Sequence, residues 1–152
     1  PLKSKQELHG WIILDKPSGI SSAKAVAKVK ALLKPAKIGH AGTLDPLASG
    51  ILPLALGEAT KTVPFMMDAG KSYNFTVQWG EERDTDDKEG QVGSVSQSRP
   101  TLKEINDILQ MFNGSIEQHP PQYSAIKVEG NRAYALARAG KEVELEARPI
   151  HI

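Results

Sequence analysis

Cysteine is absent from the 152 residues. That absence rules out disulfide scaffolds, thiolate metal sites and cysteine nucleophiles, and it points to a reducing, cytoplasmic setting. No apolar run approaches the roughly 20 residues of a membrane span, and the N-terminus lacks the apolar core of a secretory signal. No membrane partner is expected. Repeats and low-complexity tracts are also missing, and no histidine pair stands at metal-ligand spacing.

What is present suits a globular unit of one domain or slightly less, with 39% hydrophobic and 24% charged residues. The net charge is only +1, but residues 1–40 carry eight lysines against Glu7 and Asp15, a net of +6. The stretch from Glu81 to Gly90 carries six acids against Arg83 and Lys88, a net of −4. A basic N-terminal third attracts polyanions through counterion release; a solvated lysine-rich helix face has the same composition. Charge alone does not separate the two.

Residues 1–9 are polar and read as a loose arm, followed by a unit over 10–152. Trp11-Ile12-Ile13-Leu14 reads as a short buried strand closed by the turn Lys16-Pro17-Ser18-Gly19. Ser21 or Ser22 caps a helix to about Leu33, with Val26, Val29 and Leu33 on one stripe, and Pro35 lies just past its end. From Gly39 to Gly57 there are four glycines, two prolines and no clean period, so most of this stretch is expected to be an ordered loop. Lys71 to Trp79 alternates strictly, with Tyr73, Phe75, Val77 and Trp79 on one face, and predicts a strand. An acidic loop over Glu81–Gly90 and a weak strand over Val92–Val95 follow. Thr101 with Glu104 makes a capping box, and Ile105, Ile108, Leu109 and Phe112 carry a helix to the stop at Asn113-Gly114. Tyr123–Val128 is expected as a strand, Arg132–Ala139 as a short helix and Val143–Ile152 as extended chain. The interleaving predicts an α+β fold, a mixed and mainly antiparallel sheet flanked by helices, with a core of Trp11, Phe75, Val77 and Ile108. A start without methionine and an end inside an apolar run suggest a piece of a longer protein, with an unpaired sheet edge left at Val143–Ile152.

The segment Gly39-His40-Ala41-Gly42-Thr43-Leu44-Asp45-Pro46-Leu47-Ala48-Ser49-Gly50 concentrates the special residues. Pro46 biases Asp45 away from helical angles, and the glycines permit turns that other residues resist. Such a loop can present one carboxylate in a fixed direction. An aspartate beside proline is also ordinary turn chemistry, and a lone histidine is most often structural.

The block Gly39 to Pro46 resembles the catalytic-aspartate motif of the bacterial tRNA pseudouridine-55 synthases, the TruB family. Gly50-Ile51-Leu52-Pro53-Leu54 with Leu56-Gly57-Glu58-Ala59-Thr60-Lys61 is similar to the sequel of that motif. Leu14-Asp15-Lys16-Pro17-Ser18-Gly19-Ile20-Ser21-Ser22 resembles the family's first motif, and Pro121-Gln122-Tyr123-Ser124-Ala125-Ile126-Lys127 a later one. Four blocks in the same order make a specific match. Ala41 departs from the threonine more usual in the family, which removes a hydroxyl that could brace the loop.

The resemblance implies an isomerase that converts uridine to pseudouridine in the T loop of tRNA, without metal or cofactor, cytoplasmic, and monomeric when full-length. It implies Asp45 as the catalytic carboxylate, and Tyr73, His40 and Lys16 at the substrate: Tyr73 packing on a flipped uracil, His40 propping the rearranged loop, and Lys16 either supporting the active-site loop or contacting phosphate. Lys24, Lys28 and Lys61 are expected on RNA phosphate, although each also reads as an ordinary surface lysine, and Tyr73 also reads as a core ring. The resemblance places the catalytic arginine beyond residue 152, together with a C-terminal RNA-binding domain, so residues 1–152 alone are expected to lack turnover.

Two rivals differ in class. A non-catalytic RNA-binding module would use the basic helix and stacking rings without a special carboxylate. A hydrolase built on His40 and Asp45 lacks a serine or cysteine in a recognisable elbow. The run Asp84-Thr85-Asp86-Asp87 suggests calcium, yet the position where a calcium loop needs glycine holds Glu89.

Overall fold

The computed structural model describes residues 6–120, 127–128, 131–132 and 145–152. These divide into two compact units, Pro1–Tyr73 and Asn74–Ile152.

The first unit is built on a three-stranded antiparallel sheet, with strand β3 (Gly50–Leu56) between β1 (Gly10–Lys16) and β2 (Ile38–His40). Gly10 pairs with Leu56 and Lys16 with Gly50, so β1 and β3 run in register over their whole length. Helix α1 (Ser22–Leu33) connects β1 to β2. Its N-cap is Ser21, whose hydroxyl accepts from the Lys24 amide at 3.2 Å. Lys34 turns into the left-handed region at φ 50° and ends the helix before Pro35. Ser22, Ala25, Val26 and Val29 share the inner face of α1 at helical spacing. Ala25, Leu52 and Leu54 form the buried centre, with Ile12, Leu14, Ile20, Val26, Val29, Ile38 and Leu44 packed around them. Each fully buried leucine contributes about 1.5–3 kcal/mol relative to exposure.

Strand β3 lies inside the stretch expected to be loop. A proline within a run argues against a central strand, because it removes a ladder donor. The structure resolves the conflict through position. The Pro53 carbonyl accepts from Ala41 N–H at 2.9 Å, just past the end of β2. In an antiparallel strand a residue's N–H and C=O point to the same side, so the missing donor of Pro53 falls where the β2 ladder has already stopped. No bond to β1 is lost. The expected loose arm is tied down from Gln6 onward: Gln6 N–H donates to Lys34 O at 2.9 Å, and Ala36 N–H donates to Gln6 O at 3.0 Å. After β3, a 3₁₀ segment (Gly57–Thr62) leads into a short helix α2 (Val63–Met67), with Pro64 in its first turn. Gly57 is required there, because a Cβ would collide with the Leu8 carbonyl and the His9 ring.

The second unit contains the hairpin β4 (Glu81–Arg83) with β5 (Val92–Val95), and helix α3 (Leu102–Leu109) extended by a 3₁₀ turn over Gln110–Phe112. It also contains β6 (Ser115–Gln118) paired antiparallel with β9 (Arg148–His151), and β7 (Lys127–Val128) paired with β8 (Asn131–Arg132). The capping box forms as expected, with Thr101 Oγ1 accepting from Glu104 N–H and the Glu104 carboxylate accepting from Thr101 N–H at 2.7 Å.

Several expectations are corrected. Lys71 to Gln78 takes no regular structure, and Phe75 is 81% exposed. Alternation supplies a face for a strand, but a ladder needs a partner, and none among the described residues pairs with this segment. Phe75, Val77 and Ile108 are exposed, so the anticipated core is replaced by the one around Leu52 and Leu54. The strand at Arg148–His151 pairs on one side with β6, a strand too short and too polar to stand out in the sequence, and among the described residues its other side keeps the expected open edge in this two-stranded sheet. Arg132 lies in β8 instead of opening a helix, and 133–139 and 121–126 lie outside the described residues. Every strand ladder described is antiparallel, in keeping with the α+β expectation.

Candidate active site

The loop between β2 and β3 carries Asp45, and its backbone is held from both sides by the turn between β1 and α1. Before Asp45, the Ser22 hydroxyl donates to Leu44 O at 2.8 Å, and Leu44 N–H donates back to Ser22 Oγ at 2.9 Å. After it, Gly19 N–H donates to Pro46 O at 2.7 Å and the Ser18 hydroxyl to Leu47 O at 2.9 Å. The Lys16 ammonium reaches Ala48 O at 2.6 Å. Ala48 N–H closes a turn on Asp45 O at 3.1 Å. The carbonyls of 44, 46, 47 and 48 are thus each fixed, while the Asp45 side chain is exposed. A carboxylate on a braced loop costs little to hold in one direction during a reaction.

Lys16 is the largest of the fully buried side chains. Its three ammonium protons are matched by three carbonyls, those of Pro17 at 3.0 Å, Ile20 at 2.8 Å and Ala48 at 2.6 Å. Of the two roles expected for Lys16, contact with the substrate and support of the loop, these bonds serve the second. Its cation satisfies backbone oxygens that side chains of neutral charge could satisfy only more weakly.

His40 ends β2 and is half-buried, with its Nδ1–H donating to the Gly42 carbonyl. Gly42 makes this possible at φ +108°, a conformation L side chains rarely adopt. That bond engages Nδ1, and among the described residues no hydrogen bond is made by Nε2. Ala41, where the resemblance expects threonine, is buried.

The remaining residues are less constrained. Lys24 and Lys28 lie one turn apart on the exposed face of α1, with Lys30 also exposed. Lys61 is exposed on the 3₁₀ segment and paired with Glu58, whose carboxyl it holds below its ordinary value. Tyr73 is 65% exposed in a segment without a ladder, so no strand holds its ring in one place. The structure therefore gathers Asp45, His40 and Lys16 around one loop, and it leaves Tyr73 outside that arrangement. In the acidic hairpin loop, Asp84 accepts from Gln91 N–H at 2.8 Å, and Asp87 accepts from Thr85 Oγ1 at 2.7 Å and Glu89 N–H at 2.8 Å. These carboxylates are engaged in shaping their own turn, and the Thr85 hydroxyl holds the Asp87 carboxyl below its ordinary value. Ser18 and Ser22, which do not stand out in the sequence as site residues, turn out to be tethers. The only hint of them was their place in the block from Leu14 to Ser22.

The fold of this chain recurs in solved structures. It aligns with the crystal structure of a Cbf5–Nop10–Gar1 complex at 32% identity and TM-score 0.53, over 78% of this chain and 31% of that one. The structure of an H/ACA RNP bound to a substrate RNA containing 2'-deoxyuridine aligns at 30% identity and TM-score 0.52, over 80% and 34%. Residues 30–152 match the family described as TruB family pseudouridylate synthase (N terminal domain), and the chain belongs to that family. It is 60% identical over 152 residues to tRNA pseudouridine synthase B of Nitrobacter winogradskyi, covering 42% of that protein. Its identity to tRNA pseudouridine synthase B of Rhodopseudomonas palustris is 59% over 152 residues, again covering 42%. The chain thus spans well under half the length of these relatives.

Proposed function

We propose that this chain supplies the catalytic carboxylate of an enzyme that converts uridine to pseudouridine in tRNA, acting in the T loop at position 55. The observation that carries the reading is the loop of Asp45, whose backbone is tied on both sides while its carboxylate stays exposed. Relatives named tRNA pseudouridine synthase B support the substrate class.

The reaction breaks the bond from uracil N1 to ribose C1′ and forms one from C5 to C1′. N1 gains a proton and C5 loses one, so the atoms balance without an oxidant or a co-substrate. A carboxylate can serve as nucleophile or as proton acceptor. The target base must leave its stack, at a cost of a few kcal/mol. In this reading Tyr73 stacks on the flipped uracil, and His40 props the displaced RNA. Lys24, Lys28 and Lys61 meet phosphates, Lys61 after leaving Glu58. Lys16 acts by holding the loop.

Asp45→Asn keeps the shape of the side chain and removes its charge. In the full-length protein, a T-arm stem-loop tritiated at uracil C5 should release no tritium with this variant, while RNA affinity stays near wild type. Wild-type release would show that Asp45 is not the catalytic carboxylate.

A further inference from the structure

Taking Asp45 as the catalytic carboxylate, we infer that Ser22 is the residue that positions it. Ser22 is only 3% exposed and is the first residue of α1. Its one hydroxyl closes both backbone hydrogen bonds of Leu44, donating to the carbonyl at 2.8 Å and accepting from the N–H at 2.9 Å. The other tethers of this loop, from Ser18, Gly19 and Lys16, each take a single carbonyl on the far side of Asp45.

The place of that carbonyl matters. Leu44 C=O and Asp45 N belong to one planar peptide unit, so fixing the oxygen fixes the plane from which the Asp45 side chain departs. The clamp is itself immobile, because α1 is anchored through Ala25, Val26 and Val29, and the Leu44 side chain packs against the same core. Ser22 thus couples the orientation of the carboxylate to the rigid part of the unit. Ser21, one residue earlier, acts differently, since its hydroxyl accepts from Lys24 N–H at 3.2 Å and caps the helix. The two serines separate the stability of the helix start from the aim of the loop.

Removing the Ser22 hydroxyl frees the peptide plane before Asp45. Displacement of a reacting group by about 1 Å can slow a reaction on the order of 100-fold. Contacts that bind RNA elsewhere are untouched, so the loss should fall on kcat.

The test uses the full-length protein and a T-arm RNA stem-loop, well below the melting temperature of each variant. Ser22→Ala should lower kcat by about 10- to 100-fold with KM within about 2-fold. Ser21→Ala, which weakens the same helix start without touching Leu44, should leave kcat within about 2-fold of wild type. Should Ser22→Ala fail to fold, Ser22→Cys keeps the volume, weakens both bonds and should show an intermediate fall in kcat. Unchanged kcat in the folded Ser22 variant, a loss confined to KM, or an equal fall in Ser21→Ala would overturn the inference. Asp45→Asn run alongside separates the two layers: turnover by that variant removes the Asp45 reading itself, whereas an inactive Asp45→Asn beside a fully active Ser22 variant removes only the role of Ser22.

Discussion

At the scale of single residues, Lys16 sets two effects against each other. Replacing a buried charge by an apolar group of similar size is often neutral, because the ion's desolvation cost disappears with it. Here the partners are backbone carbonyls of Pro17, Ile20 and Ala48, which no side-chain substitution removes. Lys16→Met therefore leaves acceptors unpaired in the interior, and that loss outweighs the relief of desolvation. The expected destabilisation is about 1–3 kcal/mol, seen as a lower urea midpoint at an unchanged slope. An unchanged midpoint would show that water enters and replaces the ammonium.

At the scale of elements, α3 carries its own pH dependence. Glu104 is held below its ordinary value of 4.5, first by the Thr101 backbone N–H and then by the Thr101 hydroxyl. A carboxyl whose folded value is depressed stabilises the folded form fully above its ordinary value, and that stabilisation is lost as pH falls through the lowered one. Amide exchange in the first turn of α3 should accelerate relative to β3 when pH is lowered from 6 into this range, after correction for intrinsic exchange. Glu104→Gln should abolish the extra acceleration, because the amide can still accept from Thr101 but does not titrate. The same sensitivity in both proteins would place its origin outside the capping box.

At the scale of the whole molecule, apolar burial is uneven. Among the described residues the buried hydrophobic side chains are Ala25, Ala41, Leu52, Leu54, Ala55 and Leu56, all in the first unit, whereas Ile108, Leu109, Met111 and Phe112 of the second are exposed. Opening free energies follow buried apolar contact, so β1, β3 and α1 should be the slowest-exchanging amides of residues 1–152, and α3 and β6 should exchange faster. Hydrogen exchange with mass spectrometry reads this directly. Equal protection across both units would mean that the second holds a core of its own. The same 152-residue chain, which spans 42% of a relative such as that of Nitrobacter winogradskyi, should show no turnover on T-arm RNA in single-turnover assays with excess protein.

What the sequence by itself determined is what short-range chemistry can dictate. Strand β1, helix α1 with a serine cap at 21 or 22 and its stop before Pro35, and α3 with its Thr101–Glu104 box all rest on residues a few positions apart. The block around Asp45 was legible as a loop with one presentable carboxylate, because glycine and proline restrict the backbone locally. Tertiary structure decided the rest. Pro53 is tolerated in a central strand only because β2 ends beside it, and the alternation of Tyr73 to Trp79 yields no strand without a partner. Ser22 meets Leu44 across 22 positions and Lys16 meets Ala48 across 32. A hydroxyl or an ammonium carries no mark in sequence of the distant carbonyl it will satisfy. Only the folded chain, with β1 and β3 in register and α1 laid beside them, brings those partners together around Asp45.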